Sequence, residues 1–94
     1  MKLACILFHR ESKARKLCEE VMEEILENGE FIVDSKVLKS TLLDYIVKRL
    51  EREGVVVVYR RRGEKAVRIT LSDEARQDIV KAYTALMQHL NQKP

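Results

Sequence analysis

The side chains best suited to bind a metal ion are those of Cys5, His9, Cys18 and His89. Their spacing matches no common structural zinc pattern, in which ligands come in pairs only a few residues apart. Cys18 also falls on the apolar stripe of a predicted helix, where a small buried side chain is wanted. We therefore expect no metal site and no other cofactor.

The two cysteines also bear on the compartment. So few do not make the disulfide framework of a secreted domain, and the apolar run Met1–Phe8 is short and lacks a small-residue cleavage site. No apolar run approaches the roughly 20 residues that span a bilayer. We expect a cytoplasmic protein that does not bind membranes. A Cys5–Cys18 disulfide remains an alternative to reduced cysteines, because thermophile cytosols can hold one.

No set of residues has the spacing of a catalytic site. The chain contains no Ser/His/Asp arrangement, Walker loop or HExxH motif, and its three glycines leave no phosphate-binding loop. The acids of the segment 19–27 fit a solvated helix face rather than acid–base chemistry. We expect neither an enzyme nor a small-molecule site.

Positive charge is concentrated outside one acidic segment. The net charge is +3, from 18 Lys and Arg and 15 Asp and Glu. The segment 19–34 holds seven of the acids and no base, which leaves 18 bases against 8 acids, or +10, on the rest. Such asymmetry suits binding to a polyanion with the acidic face turned away. The alternative is a solvated acidic helix with ordinary surface Lys and Arg.

Two amphipathic helices should position these charges. In Ser12–Asn28 the apolar residues recur at i, i+3 and i+4, and Gly29 is placed to end the helix. In Thr41–Glu53, which Gly54 follows, one face is apolar and the opposite face is polar. The apolar face consists of Leu42, Leu43, Ile46, Val47 and Leu50. The apolar run Leu3–Phe8 fits either a buried strand or more helix.

The segment between these helices is open to two interpretations. Phe31–Val33 is predicted to be a short strand, with Asp34 as the N-cap of the helix after it. The remaining residues fit either a one-turn helix Ser35–Leu38 or a single long helix Asp34–Glu53. Only the first alternative leaves a helix-turn-helix corner.

The C-terminal third is predicted to be a hairpin and a helix. Val55–Tyr59 and Ala66–Leu71 have strand composition, and the basic segment between them contains Gly63 for the turn. Ser72 is a predicted N-cap, and the helix from Ser72 to Asn91 would be about 30 Å long. That is longer than a domain of this size needs to cover its own core.

Two groups of short motifs stand out, one in the third helix and its exit and one after the hairpin. They are Ser40-Thr41, Ile46, Arg49-Leu50-Glu51 and Gly54-Val55, and Leu71-Ser72-Asp73-Glu74-Ala75-Arg76. Together they resemble the motifs of the winged-helix family, in its small archaeal or archaeal-virus form. The resemblance implies an α+β fold with a three-helix core, a basic two-stranded hairpin and a long C-terminal helix. One domain would cover residues 1–94, with an N-terminal segment 1–11, core and hairpin 12–71, and a dimerisation helix 72–94.

The resemblance also implies DNA contacts, with the third helix in the major groove and the hairpin on the backbone or minor groove. The implied residues are Lys36, Lys39, Ser40, Thr41, Tyr45, Lys48, Arg52, Arg60, Arg61, Arg62 and Lys65. The alternatives are a solvated helix face, and hairpin charges that prevent edge-to-edge pairing.

We expect a homodimer that binds double-stranded DNA and regulates transcription, with some sequence specificity. The expected interface residues are Phe8, Ile79, Tyr83, Leu86 and Leu90. Packing of the last helix on the N-terminal segment of the same chain is the alternative to dimerisation. The alternative function is a protein-interaction module within a larger assembly.

Overall fold

The computed structural model describes the backbone of residues 2–91 and the side chains of residues 4–40 and 42–90. This part of the chain is α+β, with four α-helices, one 3-10 helix and a three-stranded antiparallel sheet. In chain order the elements are a 3-10 helix Lys2–Phe8, α1 Ser12–Asn28, β1 Phe31–Asp34, α2 Ser35–Leu38, α3 Thr41–Arg52, β2 Val56–Arg60, β3 Ala66–Leu71 and α4 Asp73–Asn91.

The first long helix has the predicted bounds. Its apolar residues bury as one stripe, which comprises Ala14, Cys18, Val21, Met22 and Ile25. Gly29 ends it with a φ of 82°, in the left-handed region that glycine adopts without steric cost. The N–H of Gly29 donates to the carbonyl of Ile25 at 2.8 Å, which satisfies one of the last carbonyls of α1.

A corner separates the next two helices. The Asp34 carboxylate accepts a hydrogen bond from the N–H of Lys36 at 2.8 Å and caps α2, as predicted. The chain then turns at Lys39 and Ser40, whose N–H groups donate back to carbonyls of α2. Of the two interpretations of this segment, the one-turn helix Ser35–Leu38 is therefore right and the single long helix is wrong.

The hairpin is extended by β1 into a sheet of order β1-β3-β2. Successive residues of β3 point to opposite faces, so that Val67 and Ile69 are buried while Arg68 is exposed between Ile32 and Tyr59 of the flanking strands. The inner face of the sheet packs against the helices as part of one apolar core, and no polar or charged side chain among those described is buried.

A disulfide joins Cys5 to Cys18 and ties the 3-10 helix to α1. Both cysteines are at most 1% exposed. The N-terminal apolar run is thus helical. Of the two alternatives for the cysteines, the disulfide is right and the reduced pair is wrong. Once the run lies along α1 as a helix, Cys5 meets the buried stripe at Cys18, a contact that the spacing of two cysteines cannot reveal.

Phe8 is not available to a partner chain, contrary to the prediction. Its side chain is 1% exposed and belongs to the chain's own core. The centroid of its ring lies 5.7 Å from that of Tyr45, with an interplanar angle of 73°, and Arg49 Cζ lies 5.6 Å from the Phe8 centroid. The apolar N-terminal segment is used to cover α3 from within the same chain.

The last helix projects from the rest of the fold. Ser72 caps it as predicted: its Oγ accepts from the N–H of Ala75 at 3.0 Å and donates to the carbonyl of Gly54 at 2.6 Å. Ala75 is buried and Ile79 is half-buried, but every side chain from Val80 to Leu90 is exposed. The molecule is 55 Å long for a cross-section of 31 by 20 Å. None of the helices within residues 2–91 is long and apolar enough to cross a membrane.

Candidate nucleic-acid interface

The exposed face of α3 carries the predicted polar residues. Leu43, Ile46, Val47 and Leu50 are buried, and this anchors the helix with its other face outward. Tyr45, Lys48 and Arg52 are exposed on that outer face. Leu42 departs from the prediction: it is 39% exposed, at the edge of the outer face rather than in the core. The helix also places the acids Asp44 and Glu51 beside these bases.

Three predicted DNA-contact residues meet in one cleft between α3 and the hairpin. Lys39 from the corner, Lys48 from α3 and Arg60 from the end of β2 all line this space of about 430 Å³, which we call the hairpin cleft. Its other lining residues are Ser35, Leu38, Asp44 and Val67. Cations from three separate elements of the chain are thereby brought to one concave surface.

Local contacts hold the cleft in shape. The N–H of Ser35 donates to the carbonyl of Lys65 at 2.7 Å, which fixes the base of the hairpin against the start of α2. Lys48 Nζ lies 2.9 Å from a carboxylate oxygen of Asp44, one turn earlier on α3. This ion pair is solvent-exposed, so that it orients Lys48 but contributes little to stability, typically about 0–1 kcal/mol.

The tip of the hairpin is an exposed cationic turn. Gly63 has a φ of 85°, which the turn requires, and every residue from Arg60 to Lys65 is exposed. The nearest acid to Arg61 is Glu64, at 3.9 Å, a loose and exposed contact. The predicted hairpin residues Arg60, Arg61, Arg62 and Lys65 are therefore all exposed, and Arg60 also lines the hairpin cleft.

The remaining predicted residues lie at the corner. Lys36 and Lys39 are exposed on and just after α2, and Ser40 is exposed immediately before α3. Thr41 begins α3, but its side chain lies outside the described residues. Lys36, Lys39 and Ser40 thus flank the N-terminal end of α3 as exposed residues.

Tyr45 is engaged in a contact that the sequence did not indicate. Its hydroxyl donates to the Glu11 carboxylate, 3.0 Å from the nearer oxygen, and Arg49 Nη1 donates to the same hydroxyl at 3.4 Å. Tyr45 is therefore held by the chain itself, with Phe8 against its ring, rather than free to reach a phosphate. Glu11 adds a carboxylate to the margin of the α3 face.

The expected dimer residues on α4 share one face. Ile79 is half-buried against the body, whereas Tyr83, Leu86 and Leu90 are 63%, 55% and 51% exposed. Their spacing of four, three and four residues is that of positions d, a, d and a of a heptad. Among residues 2–91 no group of three or more His, Cys, Asp or Glu side chains is placed to hold a metal ion.

Comparison of the chain with protein-family models, with curated proteins and with solved structures gives no match in any of the three.

Proposed function

We propose that the chain is a winged-helix protein that binds double-stranded DNA as a homodimer and regulates transcription. In this proposal α3 enters the major groove, which is about 12 Å wide and admits a helix, and the hairpin follows the backbone or the neighbouring minor groove. The observation that carries it is the hairpin cleft, where Lys39, Lys48 and Arg60 converge from the corner, the helix and the hairpin.

The two basic elements have different roles. Lys48 and Arg52 are on a rigid helix, at i and i+4, and can hydrogen-bond to base edges in a fixed geometry. Lys36, Lys39 and Ser40 flank the N-terminal end of the helix and contact phosphates. Arg61 and Arg62, at the hairpin tip, contact phosphates or a narrow minor groove, where arginine is electrostatically favoured.

The dimer forms through α4. From Tyr83 onward, the apolar a and d positions of this 19-residue helix are exposed and have no partner within the described chain. A second copy related by a two-fold axis covers the stripe on both chains at once. Two copies also double the number of phosphate contacts and bring two α3 helices to one site.

A protein-interaction module is the second candidate, and the acids on the α3 face favour it. Asp44, Glu51 and Glu11 lie among the bases of this face, and a mixed-charge surface also suits a protein partner. Fluorescence anisotropy with a random-sequence duplex at low salt separates the two. Binding that weakens steeply with added salt supports the first, and no binding supports the second.

A further inference from the structure

The start of α1 is basic, although the rest of that helix is acidic. Arg10, Lys13, Arg15 and Lys16 lie within seven residues, and the acidic run begins only at Glu19. All four basic side chains are exposed. Helix formation alone does not explain this division, because acids rather than bases are favoured in the first turn of a helix.

The basic end of α1 lies beside α3. Lys13 lines a shallow groove of about 400 Å³ together with Leu42 and Tyr45 of α3, and we call it the α1 groove. Ala14, the next residue, is 2% exposed and packs into the core, which holds this turn of α1 in place. Lys16 is one turn further along and lines an adjoining depression with Lys13.

The α1 groove and the hairpin cleft lie on opposite flanks of the outer face of α3. Asp44 and Lys48 border the hairpin cleft, whereas Leu42 and Tyr45 border the α1 groove. At 3.6 residues per turn, Leu42 and Asp44 are about 160° apart around the helix. A helix inserted in the major groove has one phosphate backbone on each flank. Here a lysine lies on each side of α3, Lys48 at the hairpin cleft and Lys13 at the α1 groove.

We propose that Lys13 and Lys16 contact the phosphates of one DNA strand while the hairpin and the corner contact those of the other. This role of α1 rests on the proposed DNA binding and extends the DNA-contacting surface to residues of α1. The ion pairs among the described side chains involve Lys48, Arg61 and Arg68, which leaves both lysines of α1 for an external anion. The acids closest in sequence are Glu11, which lines the α1 groove beside Lys13 and accepts from the Tyr45 hydroxyl, and Glu19 and Glu20, one turn beyond Lys16.

The test compares Lys13→Ala and Lys16→Ala with Lys81→Ala. Lys81 is also an exposed lysine, on the side of α4 away from the apolar stripe, and its loss changes the net charge by the same amount. Binding of a random-sequence duplex is measured by anisotropy over a range of salt concentrations, and circular dichroism checks that each variant is folded. Each phosphate contact contributes about 0.9 to the slope of log K against log salt. With both protomers bound, each α1 variant should flatten the slope by about 1.8, and Lys81→Ala should leave it unchanged.

Phosphate-ethylation interference adds a strand-specific readout. The wild type should show interference on both strands that border the occupied major groove, and the Lys13→Ala/Lys16→Ala double variant should lose it on one strand only. If the wild type binds DNA, loses affinity when the hairpin arginines are removed, and yet the α1 variants behave like Lys81→Ala, the α1 surface is refuted while the proposed function stands. A wild type that binds no duplex refutes the proposed function itself.

Discussion

Single side chains decide how much negative charge the α3 face presents. The carboxylate of Glu11 lies 3.0 Å from the Tyr45 hydroxyl, beside the surface where a DNA backbone is proposed to lie. A phosphate there meets a like charge that the hydrogen bond to tyrosine does not neutralise. Glu11 restricts the orientation of Tyr45, and in the proposed complex it would also limit the affinity for DNA.

Glu11→Gln should tighten binding to any duplex. The substitution removes the charge and keeps an oxygen that accepts from Tyr45, so that we expect a gain of about 0.5–1 kcal/mol, roughly two- to fivefold, as for an exposed charge pair. Anisotropy titration at low salt measures it. Glu27→Gln, at the acidic end of α1, is the matched control and should have a smaller effect. Equal gains from the two variants would place Glu11 away from the bound DNA.

The disulfide between Cys5 and Cys18 should stabilise the fold measurably. The two cysteines are 13 positions apart in sequence. Closing a loop of this length lowers the conformational entropy of the unfolded chain, which raises the free energy of unfolding by about 3 kcal/mol. Urea unfolding of the wild type should therefore show a lower free energy of unfolding when a strong reductant is present. The free energy of unfolding of the double variant Cys5→Ala/Cys18→Ala should be the same with and without reductant. Wild-type stability that is unaffected by full reduction would contradict this account.

At the residue scale, the sequence predicts which face of a helix a side chain occupies better than it predicts which other side chain it contacts. Helical periodicity places Tyr45, Lys48 and Arg52 opposite the buried stripe of α3, and they are exposed there. It does not reveal that Tyr45 meets Glu11, 34 residues earlier, because that contact depends on how the 3-10 helix and α1 pack. The same limit applies to Phe8, because an apolar residue of a short run fits an interface or a core equally well.

Local signals at the ends of elements make the secondary structure predictable. The caps Asp34 and Ser72 and the left-handed Gly29 act within a few residues, so that the bounds they define need no tertiary information. The run Leu3–Phe8 has no such signals and no period, and its helical form is fixed by packing on α1 and by the disulfide. The choice between one helix and two before Arg52 likewise depends on the hydrogen bonds of the corner.

The hairpin and α3 should contribute differently to DNA binding. The exposed hairpin tip meets phosphates or groove shape, so that the triple variant Arg60→Ala/Arg61→Ala/Arg62→Ala should weaken binding to all duplexes alike and flatten the salt dependence. Lys48→Ala or Arg52→Ala should cost about 1–3 kcal/mol on a preferred site, and less on random DNA. A preferred site is obtained by selection from a random pool. Equal losses on both duplexes would mean that α3 acts only as an electrostatic surface.

The free apolar face of α4 should account for self-association. Leu86→Glu places a charge at the centre of the stripe and should convert the dimer, of twice 11.0 kDa, to a monomer with nearly unchanged helix content. Light scattering at micromolar concentration measures the mass. Gln88→Glu introduces the same charge half a turn away, on the opposite face, and should remain dimeric. A wild type that is monomeric under these conditions would contradict the dimer.

At the scale of the whole molecule, the proposed dimer would join the basic surfaces on both sides of α3 in its two copies into one extended interface. The acids Glu19, Glu20, Glu23, Glu24 and Glu27 give the later turns of α1 a surface that repels polyanions, whereas Glu30 pairs with Arg68 and Asp34 caps α2. The whole-molecule arrangement is less predictable than its parts. Whether α4 packs on its own chain depends on where the 3-10 helix lies, and the disulfide commits that segment to α1.

Salt dependence of DNA binding by the wild-type chain tests the central claim most directly. Affinity for a random-sequence duplex is measured by anisotropy from low to moderate salt, and log K is plotted against log salt. With roughly six to ten phosphates neutralised by a dimer, the slope should lie between about −5 and −9. The absence of binding at low salt, or an affinity that hardly changes with salt, would contradict DNA binding by this chain.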